Sequence, residues 1–231
     1  MNRKNFIASL GLVAGGTLTG FRTPSATENI NLPFSLPPNE DDLWKVIKQE
    51  FSFPEGYVYL NTGGIGTVPR HVRSIFSDSW AQLEMNPTPS HDHTKWEDLK
   101  KDTSPLFGEG VDYTEIALIG SATEGINIII NGLPLQNGDE IITSTHEHPA
   151  LNIPLLNQMK RKGVVLKYFD PDRKTGLNNV KLISDLITKK TKLIFISHRT
   201  TTTGQLLPVK EIGELAKSRK IWFALDGAQA P

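Results

Sequence analysis

Two apolar spacings alternate along the second half of the chain. Short apolar runs at residues 115–119, 140–143, 164–168, 192–197 and 221–225 read as buried strands. The stretches between them carry helical spacing, at 123–131, 150–162, 180–188 and 209–218. Leu151, Leu155 and Met159 share one face in the second of these, and Val180, Ile183 and Leu186 or Ile187 do so in the third. Pro208 suits the first position of the last helix. Strands alternating with helices predict a parallel sheet with right-handed crossovers, hence an α/β fold with helices on both faces, a three-layer α/β/α sandwich.

The first half is less regular. Asp41-Asp42 can cap a short helix through Phe51, with Leu43, Val46 and Ile47 on its apolar side. A strand is expected at 57–60, followed by the flexible turn Asn61-Thr62-Gly63-Gly64-Ile65-Gly66. Pro69 then opens a helix to about residue 84, with Val72, Ile75, Phe76, Trp80 and Leu83 at helical spacing. Residues 91–106 read as a poorly patterned helix.

Composition narrows the function classes. With 231 residues, 38% apolar and 22% charged, the chain can bury one substantial core. Its 25 basic and 25 acidic side chains cancel, which gives no electrostatic footprint for nucleic acid or an acidic membrane. There is no cysteine, so disulfides, thiolate metal sites and a cysteine nucleophile are excluded from these residues. Neither G-x-G-x-x-G nor a G-K-[ST] loop occurs, which argues against dinucleotide and nucleotide sites.

The first 26 residues have another pattern. Arg3-Lys4 precede an apolar stretch from Phe6 to Phe21, interrupted by Gly11, Gly15, Gly16 and Gly20, and Pro24-Ser25-Ala26 follow. This is the layout of a secretory signal, too short and glycine-rich for a stable membrane anchor. Asn2-Arg3-Lys4-Asn5-Phe6-Ile7 resembles a twin-arginine motif with lysine in its second basic position. The expectation is an exported or periplasmic protein; the alternative is a cytoplasmic one with an apolar N-terminal arm. Residues 27–56 then read as an arm or linker, and 57–231 as the folded domain.

Four polar clusters follow four of the five strands, at one edge of the sheet. Gly120-Ser121-Ala122-Thr123-Glu124-Gly125 fits a capping box, whose free N–H groups and dipole suit a phosphate as well as a plain cap. Thr145-His146-Glu147-His148-Pro149-Ala150 could lay an imidazole over an aromatic ring, hold a metal through H-x-H, or be an ordinary loop. His198-Arg199-Thr200-Thr201-Thr202-Thr203-Gly204 is a hydroxyl-rich loop or a structural turn. Asp226 ends the last strand with Gln229 three residues on, where a carboxylate can stay ionised against a pyridinium nitrogen or cap the next helix.

In this order, the clusters resemble the large domain of class V aminotransferases, fold-type I enzymes of pyridoxal 5'-phosphate. The resemblance runs from YLNTGGIGTVP, starting near Tyr59, through SATEGIN, EHPA and HRTTTTGQLLPV to LDGAQA. It implies Ser121, Ala122 and Thr123 at the cofactor phosphate, His148 stacked on the ring, Thr201 in the site, Asp226 on the pyridine nitrogen and Gln229 on the phenolic oxygen. His148 and Asp226 are then the catalytic pair, with no metal. The tract with Thr201 is most similar to the isopenicillin N epimerase-like branch, since cysteine desulfurases tend to have asparagine there. An amino-acid substrate and a homodimer of the full-length protein are further implications. That family's cofactor-anchoring lysine is expected beyond Pro231, in a parent protein that continues. Lys220 cannot replace it, because it begins the strand that Asp226 ends, ~20 Å away at about 3.3 Å per residue.

Two other readings stay open at this point. His146, His148, His198 and Asp226, all at strand ends, could form the zinc site of an amidohydrolase barrel. The chain could also be a non-catalytic exported binding module.

Overall fold

The structure, a computed structural model, describes residues 39–62, 64–87, 93–108 and 110–229. The predicted signal segment, residues 1–26, lies outside them. The chain divides into two compact units, Met1–Leu118 and Ile119–Pro231.

The first unit contains helices α1 (Glu40–Gln49), α2 (Arg70–Met85) and α3 (His93–Thr103), with 3₁₀ turns at Ser104–Phe107 and Tyr113–Glu115. The cap of α1 is Asn39, not Asp41 or Asp42: its side chain accepts the Asp42 N–H at 2.8 Å. Asp42 itself pairs with Lys45 inside the first turn. Pro69 stands one place before α2 as its N-cap. The third helix gives way to a tighter turn at Ser104–Phe107, where Pro105 has no N–H for an α-helical bond.

Two predicted strands, 57–60 and 115–119, do not form, and Glu115 instead closes the 3₁₀ turn. Ile116 is extended in its backbone, but no described segment pairs with either run, and a strand without a ladder is not stable structure. Tyr57 and Tyr59 contact Phe53 instead, with ring centroids 6.0 and 5.6 Å away.

The second unit is the predicted α/β sandwich. Its elements run α4 (Ala122–Gly132), β1 (Glu140–Ser144), α5 (Pro149–Lys162), β2 (Val165–Phe169), α6 (Asn178–Leu186), β3 (Thr191–Ser197), α7 (Val209–Ser218) and β4 (Trp222–Asp226). The four strands are parallel, in the order β2-β1-β3-β4. Their side chains supply both faces in alternation. Ile141, Leu193 and Phe195 pack with Ile126 and Ile130 of α4 and Leu151 and Leu155 of α5. Ile142, Ile194 and Ile196 pack on the opposite face with Ile183 of α6 and Ile212 and Ala216 of α7. Burial on both faces explains why the central strands β1 and β3 are continuous apolar runs, whereas the edge strands β2 and β4 leave Val165, Tyr168, Trp222 and Leu225 exposed. Gly163 ends α5 in the left-handed region, at φ 70°, and a Cβ there would strike the Asn137 side chain.

The order of strands places a switch point between β1 and β3. The chain leaves β1 toward β2 on one side and leaves β3 toward β4 on the other. In open α/β sheets the crevice outside the carboxyl ends of two such strands is where ligands bind.

Candidate active site

Each cluster predicted from the sequence reaches the carboxyl edge through a different element. Helix α4 is followed by the turn that enters β1 at the amino edge, and its Ile126 and Ile130 lie against the sheet. Its 11 residues span about 16 Å, close to the length of a five-residue strand, so its first turn returns to the carboxyl edge. There Ser121 caps the helix, its hydroxyl accepting the Glu124 N–H at 3.2 Å. The Glu124 carboxylate reaches back to the Gly120 N–H at 2.7 Å. The first intrahelical bond runs from Gly125 N–H to the Ser121 carbonyl, which leaves the Ala122 and Thr123 N–H groups without an intrahelical acceptor. Ser121, Ala122 and Thr123 are all exposed.

The loop after β1 presents His148 as the N-cap of α5, exposed, its Nδ1 accepting the Ala150 N–H at 3.1 Å. That acceptor role leaves the proton of the neutral ring on Nε2. His146 points elsewhere: its Nε2 lies 3.5 Å from Asp170 after β2. In the loop after β3, Thr201 is exposed, while Thr200 is buried and shares a 2.8 Å hydroxyl bond with Thr203. Asp226 closes β4, buried, its Oδ1 accepting the Ala228 N–H at 3.0 Å and its carbonyl accepting the His198 N–H at 2.9 Å. Gln229 follows on the exposed side. Among the described residues no three histidine or acidic side chains gather in a metal-binding arrangement, and the sheet is open rather than a closed barrel. His146, His148, His198 and Asp226 therefore do not assemble the metal centre of the alternative reading.

One residue at this edge escaped the sequence reading. Glu147, between the two histidines, is turned inward and is 6% exposed. It takes the hydroxyls of Ser144 and Ser197 and the Ser197 N–H, the last at 3.0 Å. Burial pushes its carboxyl above the ordinary glutamate range; the serine hydrogen bonds oppose this, and the nearby Asp226 charge adds to it. Only its burial at a switch point distinguishes Glu147, and local sequence carries no such signal.

An open parallel sheet with polar groups at its switch point defines an α/β domain of the doubly wound class. Comparison with known proteins makes this particular: the sequence pattern of the Aminotransferase class-V family matches residues 81–231, and the chain belongs to that family. The cysteine desulfurase IscS of Shewanella denitrificans is 35% identical over 122 residues, covering 52% of this chain and 30% of the relative. A probable cysteine desulfurase of Pseudomonas aeruginosa is 32% identical over 117 residues, 50% of this chain and 29% of its own. The chain thus spans about a third of the length of these curated relatives. Among solved structures, the cysteine desulfurase CsdA of Escherichia coli superposes with a TM-score of 0.68 at 22% identity, over 80% of this chain and 48% of the other. A C-DES variant with glycine covalently linked to its PLP cofactor gives 0.67 at 23% identity, over 79% and 50%. At these identities the structural likeness establishes the fold.

Proposed function

We propose that this chain is the cofactor-holding part of a pyridoxal 5'-phosphate enzyme that acts on an amino acid. Membership in the family supports this reading, and one observation carries it: a capped helix start, a histidine cap and a buried aspartate all occupy the carboxyl edge of one sheet. The residues fit the cofactor chemically. The Ala122 and Thr123 N–H groups, at the positive end of α4 and beside the Ser121 hydroxyl, suit the dianionic phosphate. Asp226, with one oxygen held by Ala228, offers a fixed carboxylate for the ring nitrogen and keeps the proton there. His148 presents a flat imidazole held through its Nδ1 by the Ala150 N–H, suited to lie against the ring. Thr201 and Gln229 add a hydroxyl and an amide donor for the phosphate and the phenolic oxygen. When bound, the cofactor withdraws electrons from the substrate's α-carbon. The protein's part is to fix the ring, keep its nitrogen protonated and exclude water.

The reaction is one that begins with loss of a bond at the α-carbon: epimerisation, transamination or elimination. The hydroxyl-rich tract around Thr201 favours the epimerase-like branch, whereas the cysteine desulfurase relatives favour sulfur removal from cysteine. Assays of the whole protein for inversion at the substrate's α-carbon and, with an added thiol reductant, for alanine and sulfide formation from cysteine separate the two. Export through the N-terminal segment belongs to the same proposal; fractionation of cells carrying the tagged protein tests it, and a purely cytoplasmic product refutes it.

The binding claim is tested on the chain itself. Pyridoxamine 5'-phosphate is the probe, because its amine cannot condense with surface lysines. Saturable binding at one site, weakened roughly 10–100-fold in Asp226→Asn and less in Ser121→Ala, is expected by fluorescence titration. Absence of binding, or binding indifferent to both substitutions, refutes the assignment.

A further inference from the structure

The strands that flank the crevice do not pair along their full length. β1 pairs with β2 through Ser144–Phe169, and β3 pairs with β4 through Ser197–Asp226. The pairing of β1 with β3 ends at Ile142–Ile194. From there to Ser144 and Ser197 the two strand ends run on without a shared ladder, as a crevice requires. An unladdered parallel strand end is costly here, because Ser197 is buried and its N–H has no water to turn to.

Glu147 supplies what the ladder lacks. Its Oε2 accepts the Ser197 N–H at 3.0 Å and the Ser197 hydroxyl at 2.5 Å, and its Oε1 accepts the Ser144 hydroxyl. One side chain thereby joins the ends of β1 and β3. The same loop is tied on both sides of it. The Ser144 hydroxyl oxygen accepts the His146 N–H at 3.2 Å, and the Glu147 carbonyl accepts the Asn152 side-chain amide at 3.1 Å. His148 follows directly, held by its own bond to Ala150.

We propose that Glu147 is a positioning residue: its carboxylate takes the place of strand pairing at the mouth of the sheet, sets the separation of the β1 and β3 ends, and fixes the backbone that presents His148. That the fixed mouth serves pyridoxal phosphate rests on the function proposed above; the clasp itself does not.

The test uses amide hydrogen exchange and ring-nitrogen NMR on the 231-residue chain, with circular dichroism as the check on folding. Glu147→Ala should speed exchange of the Ser197 amide at least tenfold while Leu193, still in the ladder, keeps its wild-type rate. The His148 Nδ1 signal should move toward that of a free imidazole. Glu147→Gln keeps a carbonyl acceptor at the same reach and should restore both readouts to within about threefold of wild type, which a general loss of packing would not do. If Glu147→Ala does not fold, Ser144→Ala decides: it removes one bond of the clasp with little change in volume and should speed Ser197 exchange two- to fivefold. Unchanged Ser197 exchange in the folded Ala variant, or in Ser144→Ala, overturns the proposal, as does a Gln variant as impaired as Ala. Pyridoxamine 5'-phosphate titration of the same proteins adds the link to the site, with several-fold weaker binding expected in Glu147→Ala. A wild-type chain that does not bind the probe refutes the cofactor reading but leaves the exchange and His148 readouts to decide the clasp.

Discussion

The two ends of one strand and its loop carry two buried glutamates treated in opposite ways. Glu140 opens β1 at the amino edge. It meets the Lys167 ammonium at 2.9 Å and accepts the hydroxyls of Thr188 at 2.5 Å and Thr191 at 3.1 Å. Burial pushes its carboxyl upward, but the hydrogen bonds from Thr188, Lys167 and Thr191 outweigh it, and its range falls below the ordinary one. Glu147 follows β1 at the carboxyl edge. Its three hydrogen bonds come from two serines, a second carboxylate lies nearby, and its range rises. At the amino edge charge is neutralised, and the residues there serve the fold. At the carboxyl edge two carboxylates, Glu147 and Asp226, lie near one another at the switch point, an arrangement that suits a binding crevice rather than a stabilising pair.

This contrast can be broken or sharpened by substitution. The largest stability loss is expected for Glu140→Ala, which leaves Lys167 without its carboxylate and two threonine hydroxyls without their acceptor. A decrease of about 2–3 kcal/mol in urea unfolding is expected. Because the Glu140 range is lowered by folding, that contribution is present above the ordinary glutamate range and lost as pH falls through the folded value. The difference between variant and wild type should therefore shrink in acid. A difference that grows in acid would remove the amino-edge half of the comparison.

Asp226→Asn should do the reverse at the other edge. Unfolding free energy should stay within about 0.5 kcal/mol, while affinity for pyridoxamine 5'-phosphate falls roughly 10–100-fold, the worth of one charge-assisted bond. Equal losses of stability and affinity would show Asp226 to be structural.

Ser121→Ala removes the cap of α4 and should cost about 1 kcal/mol of stability, with phosphate affinity reduced alongside. The smallest effect, and the one with the sign that matters, belongs to Glu147→Gln. A carboxyl raised by folding stabilises below the ordinary glutamate range, and that contribution is lost as pH rises through the folded value. The neutral glutamine should gain stability relative to wild type between acid and neutral pH, read as a narrowing or reversal of their difference in urea unfolding. A change in the direction seen for Glu140→Ala would mean that Glu147 sits in a compensated site after all.

Much of the second unit could be read locally. The runs at 140–143, 164–168, 192–197 and 221–225 each became a strand within a residue or so; the central two, 140–143 and 192–197, are buried on both faces, which demands continuous apolar sequence. Ser121 and Glu124 announced their cap because a capping box is a contact three residues long. The runs at 57–60 and 115–119 misled for the matching reason: a strand is a property of a pair, and no described segment pairs with them. Asn39 displaced Asp41 and Asp42 as the cap because the helix starts two residues earlier, at Glu40, which puts both aspartates inside its first turn. Glu147 looked like a spacer between two histidines; its role depends on where the β1–β3 ladder stops, fifty residues from its partner Ser197.

The chain's own pattern of apolar runs, caps and turn residues determined which segments become helices and strands, and which polar groups end up just past them. Those are short-range matters, settled by periodicity and by hydrogen bonds a few residues long. The order β2-β1-β3-β4, the early end of one ladder and the inward turn of Glu147 were decided only by the folded sheet. Strand neighbours and buried acceptors are chosen by contacts between distant parts of the chain, and no local spacing encodes them.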